Sequence, residues 1–318
     1  MPSAAPEELY TRIRESSAEE DMLPAELAKI FSQRFNWEFV KLALLPSLQH
    51  HGKRVHQAIH KMVATIEEHD MFNIALEGKE ALADSDLILG NHQGPGEKAP
   101  GQGGLETVFG CAILPYKSRI VLKDDILKFR PSFKNIIKAL SLRKGNPIAV
   151  QRPDQGTLSR REYAEKLVAE RQRVFTEVFR VINEEGSPVM VYPEGTRSPD
   201  GRILPFMKGL FQTALTDYVV PHMQAGQEPK IGMQVADTLQ VFPEGRGKRV
   251  QMHRKNMTIR GLPYDAGALM DRIDSCGEPL DSPDLPVKKL GSFFCEDVRS
   301  AMLAELSSIL EESLATSQ

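Results

Sequence analysis

Cysteine is scarce: Cys111, Cys276 and Cys295 are the only three, and no two stand in a C-x2-C pair. That spacing excludes a disulfide framework, argues against a thiolate zinc site and fits a reducing compartment. Charge of one sign is also lacking. Forty Lys+Arg against 43 Asp+Glu leave a net charge of −3, so the basic excess of a nucleic-acid binder is missing. Long apolar runs are missing too. The best candidate, residues 39–45, carries Lys41 and falls far short of the roughly 18–20 residues that cross a bilayer. The first eight residues, Met-Pro-Ser-Ala-Ala-Pro-Glu-Glu, have neither a basic start nor an apolar stretch, and no signal peptide is expected. The expected location is the cytoplasm, with at most a peripheral position at the inner face of a membrane. Neither G-x-x-x-x-G-K-[ST] nor a strand-linked G-x-G-x-x-G is present, which weakens a nucleotide-binding reading.

What is there suits a globular chain. Hydrophobic residues make up 41% and charged residues 26%, enough apolar material for a sizeable core and against wholesale disorder. The 318 residues divide into a helical region at 1–70, an α/β domain at 71–270 and a C-terminal helical segment at 271–318. In the first region, Leu23, Leu27, Ile30 and Phe31, then Val55, Ile59, Met62 and Ile66, recur at helical spacing. These helices suit packing on the sheet better than a bilayer surface, because their polar faces mix both signs of charge. His56 and His60 stand one turn apart, a formal metal spacing, but no third ligand completes a set, so an exposed helix face is expected.

From residue 72 the texture changes. Strands are expected at 72–76, 86–90, 119–122, 147–150 and 187–192. Further strands fall within 230–260, at 231–235, 239–241, 250–252 and 257–259. Between them lie an apolar helix at 105–114, with Cys111 in the core, and a long amphipathic helix at 158–185. A last amphipathic helix at about 292–313 places Phe294, Val298, Met302, Leu306 and Ile309 on one side. Strands alternating with helices imply a mixed, mostly parallel sheet flanked by helices, with an N-terminal helical extension and a C-terminal amphipathic helix.

Two constellations carry chemistry. In Asn91-His92-Gln93-Gly94-Pro95-Gly96-Glu97 a histidine follows a buried strand, and a carboxylate five residues on can fold back to orient the imidazole. That pairing makes a general base near neutral pH. In Tyr192-Pro193-Glu194-Gly195-Thr196-Arg197-Ser198 a strand empties into a turn with a glycine, two hydroxyls and a guanidinium fork, which suits a phosphate. Each admits a plain reading by itself, a loop histidine with an unrelated glutamate and a polar turn. The echo at Pro243-Glu-Gly-Arg246 shows how cheap part of the pattern is.

Taken together, the two segments resemble the motifs of the glycerophospholipid acyltransferase superfamily, Asn-His-x4-Asp and Phe-Pro-Glu-Gly-Thr-Arg-Ser. The run Pro205-Phe-Met-Lys208-Gly209 resembles the family's Pro-Phe-Lys-Gly, and Ile148-Ala-Val-Gln-Arg152 its second motif. The resemblance covers roughly residues 72–265. It implies O-acyl transfer from an acyl thioester, acyl-CoA or acyl carrier protein, to a hydroxyl of glycerol-3-phosphate or 1-acylglycerol-3-phosphate, with no metal and no resident cofactor. His92 would be the base and Glu97 its orienting carboxylate. Arg152, Glu194, Gly195, Thr196 and Arg197 would bind the acceptor.

The chain departs from the family where Glu97 replaces an aspartate and where a Gly/Pro-rich stretch follows it, which leaves Glu106 as an alternative partner for His92. The fourth motif, a Val-Pro strand, is not clear, and Val219-Val-Pro221 reads equally as the end of a helix. These departures keep two alternatives open: a different acceptor, or an impaired member that binds acyl-CoA or phospholipid without turnover. The basic stretch from Arg246 to Lys255 reads as a solvated hairpin or a contact for anionic headgroups or an acidic carrier.

Overall fold

The computed structural model describes residues 6–15, 22–43, 51–93, 105–115, 117–123, 148–151, 153, 158–198, 200–241 and 255–316. Three helices come first: α1 (Pro6–Glu15), α2 (Ala25–Ala43) and α3 (His51–Glu68). Then follow β1 (Asn73–Glu77), α4 (Lys79–Leu82), β2 (Leu87–Gly90), α5 (Leu105–Gly110), β3 (Arg119–Lys123), β4 (Ile148–Val150), α6 (Arg160–Glu185) and β5 (Val189–Val191). The remainder is α7 (Lys208–Ala214), a π-helical turn (Leu215–Val219), α8 (Val220–Gln224), β6 (Ile231–Asp237), β7 (Asn256–Pro263), α9 (Gly267–Asp274) and α10 (Val287–Thr316).

The strands form one seven-stranded sheet in the order β1-β7-β6-β2-β5-β3-β4. All neighbours are parallel except β6 and β7, which run antiparallel. The mixed, mostly parallel α/β architecture read from the sequence is the one observed. Its central strands are short apolar runs because both faces of the sheet are covered. Side chains alternate between two cores, as the period of two requires. Leu87, Leu89, Val189, Val191, Ile231, Met233 and Val235 join a core closed by α1, α6, α7 and α10. Ile88, Met190, Ala236, Met257 and Ile259 join the other, closed by α2, α3, α4 and α5. Leu23 and Phe31 are buried in that second core, with Leu27 packed against it. The N-terminal helices therefore pack on the sheet as the mixed charges suggested.

Local sequence explains the helix ends. Ser159 caps α6 with a reciprocal box: its hydroxyl accepts from the Glu162 N–H, and the Glu162 carboxylate accepts from the Ser159 N–H. Phe294, Val298, Met302, Leu306 and Ile309 of α10 are all buried, as their spacing predicts.

Two expectations are corrected. The helix at 105–114 stops at Gly110, and tighter turns carry the chain to residue 114, with Ala112 N–H donating to Phe109 O and Ile113 N–H to Gly110 O. Gln234 takes a share of the Gly110 carbonyl with its side-chain amide at 3.1 Å. Residues 239–241 are a turn, not a strand. The Thr238 N–H turns to the Gln93 side chain at 3.1 Å, and Gln240 folds back onto Asp237. Val219-Val-Pro221, left open between a strand and a helix end, lies in helix. Proline cannot donate, and the carbonyl four residues before it, that of Asp217, is served instead by Asn183 Nδ2 at 2.7 Å. The expected strand at 250–252 and the basic stretch before Lys255 lie outside the described residues.

Candidate active site

The chain leaves β2 at its carboxyl end, the side of a parallel sheet where α/β folds place their sites. Asn91 makes that exit rigid. Its side-chain amide behaves as one more peptide of the strand, with Nδ2 donating to Ala236 O at 2.9 Å and Oδ1 accepting the Ala236 N–H at 2.7 Å. The β2–β6 pairing is thus extended by one residue, and His92 stands immediately beyond it, half-buried.

The neighbouring strand β5 empties into the second motif. Tyr192 O accepts the Gly195 N–H at 3.0 Å, closing a turn with Pro193 and Glu194 inside. Gly195 has φ +66°, so the backbone selects glycine, and an added Cβ would sit 3.1 Å from Met207 Sδ, which would have to shift slightly. Glu194 is 7% exposed. Its Oε1 accepts the His92 backbone N–H at 2.7 Å and its Oε2 the Leu204 N–H at 2.8 Å. In return the Ser198 N–H donates to His92 O at 2.7 Å, and Gln93 and Ser198 form a parallel bridge. The two loops are therefore laced to each other from both sides. The His92 ring stacks on Tyr192, with centroids 4.3 Å apart and planes 22° apart. The Tyr192 hydroxyl is fixed in turn by Thr107 of α5 at 2.7 Å.

Residues 73–225 match the acyltransferase family model. The chain carries an acyltransferase domain. A stretch of 52 residues is 46% identical to 1-acyl-sn-glycerol-3-phosphate acyltransferases of Limnanthes alba and Limnanthes douglasii. That stretch is 16% of this chain and spans only 18% of the length of those relatives. The crystal structure of the 1-acyl-sn-glycerophosphate acyltransferase PlsC from Thermotoga maritima aligns over 87% of both chains, with a TM-score of 0.48 and 15% identity.

Within the acyltransferase domain, His92, Glu194, Gly195, Thr196 and Arg197 stand on one rim. Thr196 is exposed and Arg197 half-buried. Glu97 and Arg152 lie outside the described residues, as does the side chain of Glu106. The side chain of His56 is outside them too, and His60 is exposed on α3. Among the described residues no group of three metal-ligating side chains converges, and no helix is long and apolar enough to cross a membrane. Cys111 is buried and donates to Thr107 O at 2.8 Å, and burial pushes its thiol well above the ordinary range. A cleft of about 620 Å³ opens at the other end of the sheet, before β2 and β6, lined among others by Asp84, Asp86, His222 and Lys230. It shares no residue with the His92 rim.

Several residues that shape the candidate site were not singled out from sequence. Asn91 and Tyr192 stood inside the motifs without a role of their own. Tyr10 of α1 and Asp237 at the end of β6 stood outside them. Gln93 Nε2 donates to the Tyr10 hydroxyl at 2.9 Å, and that hydroxyl donates to Asp237 Oδ1 at 2.8 Å. No sequence signal marks such contacts, since the partners lie 83 and 227 residues apart.

Proposed function

We propose that the protein moves a fatty acyl group from an acyl thioester to a hydroxyl of a phosphorylated glycerolipid, glycerol-3-phosphate or 1-acylglycerol-3-phosphate. The observation that carries this reading is the lacing of the two motif loops, His92 N–H to Glu194 and Ser198 N–H to His92 O. It holds a histidine and an Arg197-bearing turn at adjacent strand ends, as a base and a phosphate cradle require.

On this reading His92 takes the acceptor's hydroxyl proton as its oxygen attacks the thioester carbonyl. The C–S bond breaks, and the leaving thiolate recovers a proton from the imidazolium. No acyl-enzyme forms. Stacking on Tyr192 fixes the plane of the imidazole, which a base needs in order to meet a defined proton. Glu97 orients the ring, with Glu106 as the alternative. Arg152, Thr196 and Arg197 hold the acceptor, with the cations on its phosphate. The buried Glu194 and the glycine backbone at 195 keep that turn in shape. Holding hydroxyl and thioester in attacking geometry contributes on the order of 7–11 kcal/mol in favourable cases. The donor is acyl-CoA or an acyl carrier protein thioester, and a lipid acceptor is met at a membrane surface.

The test is thiol release from acyl-CoA with a panel of acceptors, comparing wild type with His92→Ala. The substitution is expected to lower turnover about a hundred- to ten-thousand-fold, the usual contribution of a base. Turnover that survives it removes the mechanism. Glu97→Gln is expected to lower turnover, and full activity in that variant transfers the orienting role to Glu106.

A further inference from the structure

Asp237 is an unusual side chain to find at the carboxyl end of a central strand. It is 0% exposed, yet it is a carboxylate. Burial pushes its carboxyl up, against the pull of hydrogen bonds from Tyr10, Gln240 and the Leu239 backbone.

The polarity of its surroundings is uniform. One chain of donors runs Gln93 Nε2 to Tyr10 hydroxyl to Asp237 Oδ1. A second runs Asn256 Nδ2 to Ser313 hydroxyl to Gln240 Oε1, with Gln240 Nε2 donating to Asp237 Oδ2. Both chains point their protons at the same carboxylate, an acceptor-only group when ionised. Hydrogen bonds aligned in this way polarise one another and hold each hydroxyl to one orientation.

The first chain ends on the residue after His92. Gln93 is 1% exposed, and its carbonyl oxygen accepts the Thr238 N–H, so its amide has one orientation only. Tyr10 also reaches the second motif loop. Gly201 has φ +84°, and a Cβ there would run into the Tyr10 ring. One side chain of α1 thus lies against both loops of the candidate site.

We propose that Asp237, acting through Tyr10 and Gln93, is the anchor that positions the loop bearing His92. Neither Asp237 nor Tyr10 is assigned contact with substrate; both are positioning residues. An effect of this anchor on turnover rests on the function proposed above, whereas the anchoring of the loop does not.

Tyr10→Phe removes one hydroxyl from the chain and leaves the ring over Gly201. Asp237→Asn removes the charge and keeps the shape. Leu9→Ala, a buried neighbour of Tyr10 on α1, reports what looser docking of the helix does by itself. Hydrogen exchange followed by mass spectrometry on a peptide covering residues 87–93 reads the loop without any substrate. A tenfold or greater acceleration there in Tyr10→Phe and Asp237→Asn is expected, with β1 unchanged and Leu9→Ala near wild type. Exchange within twofold of wild type in Tyr10→Phe overturns the proposal, and so does an equal acceleration in Leu9→Ala.

In the thiol-release assay both anchor variants should lose about tenfold or more in kcat at an unchanged KM for the thioester. The double variant should lose no more than the worse single one, since both cut the same chain. Losses that multiply overturn the proposal. If wild-type protein releases no thiol with any acceptor, the proposed function falls, and the exchange measurement still decides on the anchor. If Asp237→Asn does not fold, Tyr10→Phe decides it.

Discussion

Replacing Asp237 by asparagine removes a charge whose energetic cost depends on pH. Burial pushes the carboxyl up to about 6 from an ordinary 3.8, and the hydrogen bonds it accepts do not cancel that push. Two pKa units correspond to about 3 kcal/mol between the protonation states. The sign follows from proton binding. Between pH 3.8 and about 6 the folded protein holds a proton that the unfolded chain has lost, so stability falls as pH rises through that window and levels off above it. An asparagine cannot titrate. Between pH 5 and pH 8 wild type should therefore lose about 1–2 kcal/mol relative to Asp237→Asn, roughly a tenfold change in folding constant.

The constant offset between the two proteins is a separate quantity. The new amide N–H2 faces either the Gln240 amide or a Tyr10 hydroxyl already served by Gln93, a mismatch of about 1–3 kcal/mol. That mismatch does not depend on pH, so the slope isolates the carboxylate. The assay is urea unfolding at 25 °C, both proteins at matched ionic strength, from pH 5 to pH 8. A gap that stays constant over this range, or changes in the opposite direction, refutes the reasoning.

Two further outcomes follow from the lacing of the loops. Glu194→Gln should cost about 1–3 kcal/mol in urea unfolding, because one of the two backbone N–H groups that the carboxylate serves would then face an amide donor; a variant as stable as wild type contradicts the bonding described. Gly195→Ala should cost at least about 1–2 kcal/mol, since φ +66° is strained for any residue with a Cβ and Met207 must also give way, and an unchanged melting temperature would refute it.

The parts of the fold legible in the sequence are those fixed by short-range pattern. Leu87-Ile-Leu and Val189-Met-Val are uninterrupted short apolar runs closed by turn residues, which suit a strand covered on both faces. Phe294, Val298, Met302, Leu306 and Ile309 repeat at helical spacing over about four turns, and all are buried. The juxtaposition of His92 with the 194–198 turn was implied by the family motifs, and the strand pattern agrees with it. Each follows one of those runs at its carboxyl end, and parallel neighbours bring such ends together.

What pattern misses is wherever a side chain from a distant segment takes over or shares a backbone partner. The apolar stretch after Gly110 has the composition to continue a helix, yet the chain tightens into turns there, and an amide 124 residues away shares the Gly110 carbonyl with the backbone. Leu239-Gln-Val241 alternates as a strand should, but the N–H before it turns to Gln93 and Gln240 folds back onto a buried acid. Tyr10 looks, from its own helix, like one more apolar position beside Leu9 and Ile13. Its hydroxyl separates it from them, and the meaning of that hydroxyl depends on Gln93 and Asp237, two residues that no window on α1 contains. The same property makes the network testable: partners brought together only by the tertiary fold have no local reason to couple, so coupling between Tyr10 and Asp237 has to arise at the hydrogen bond between them.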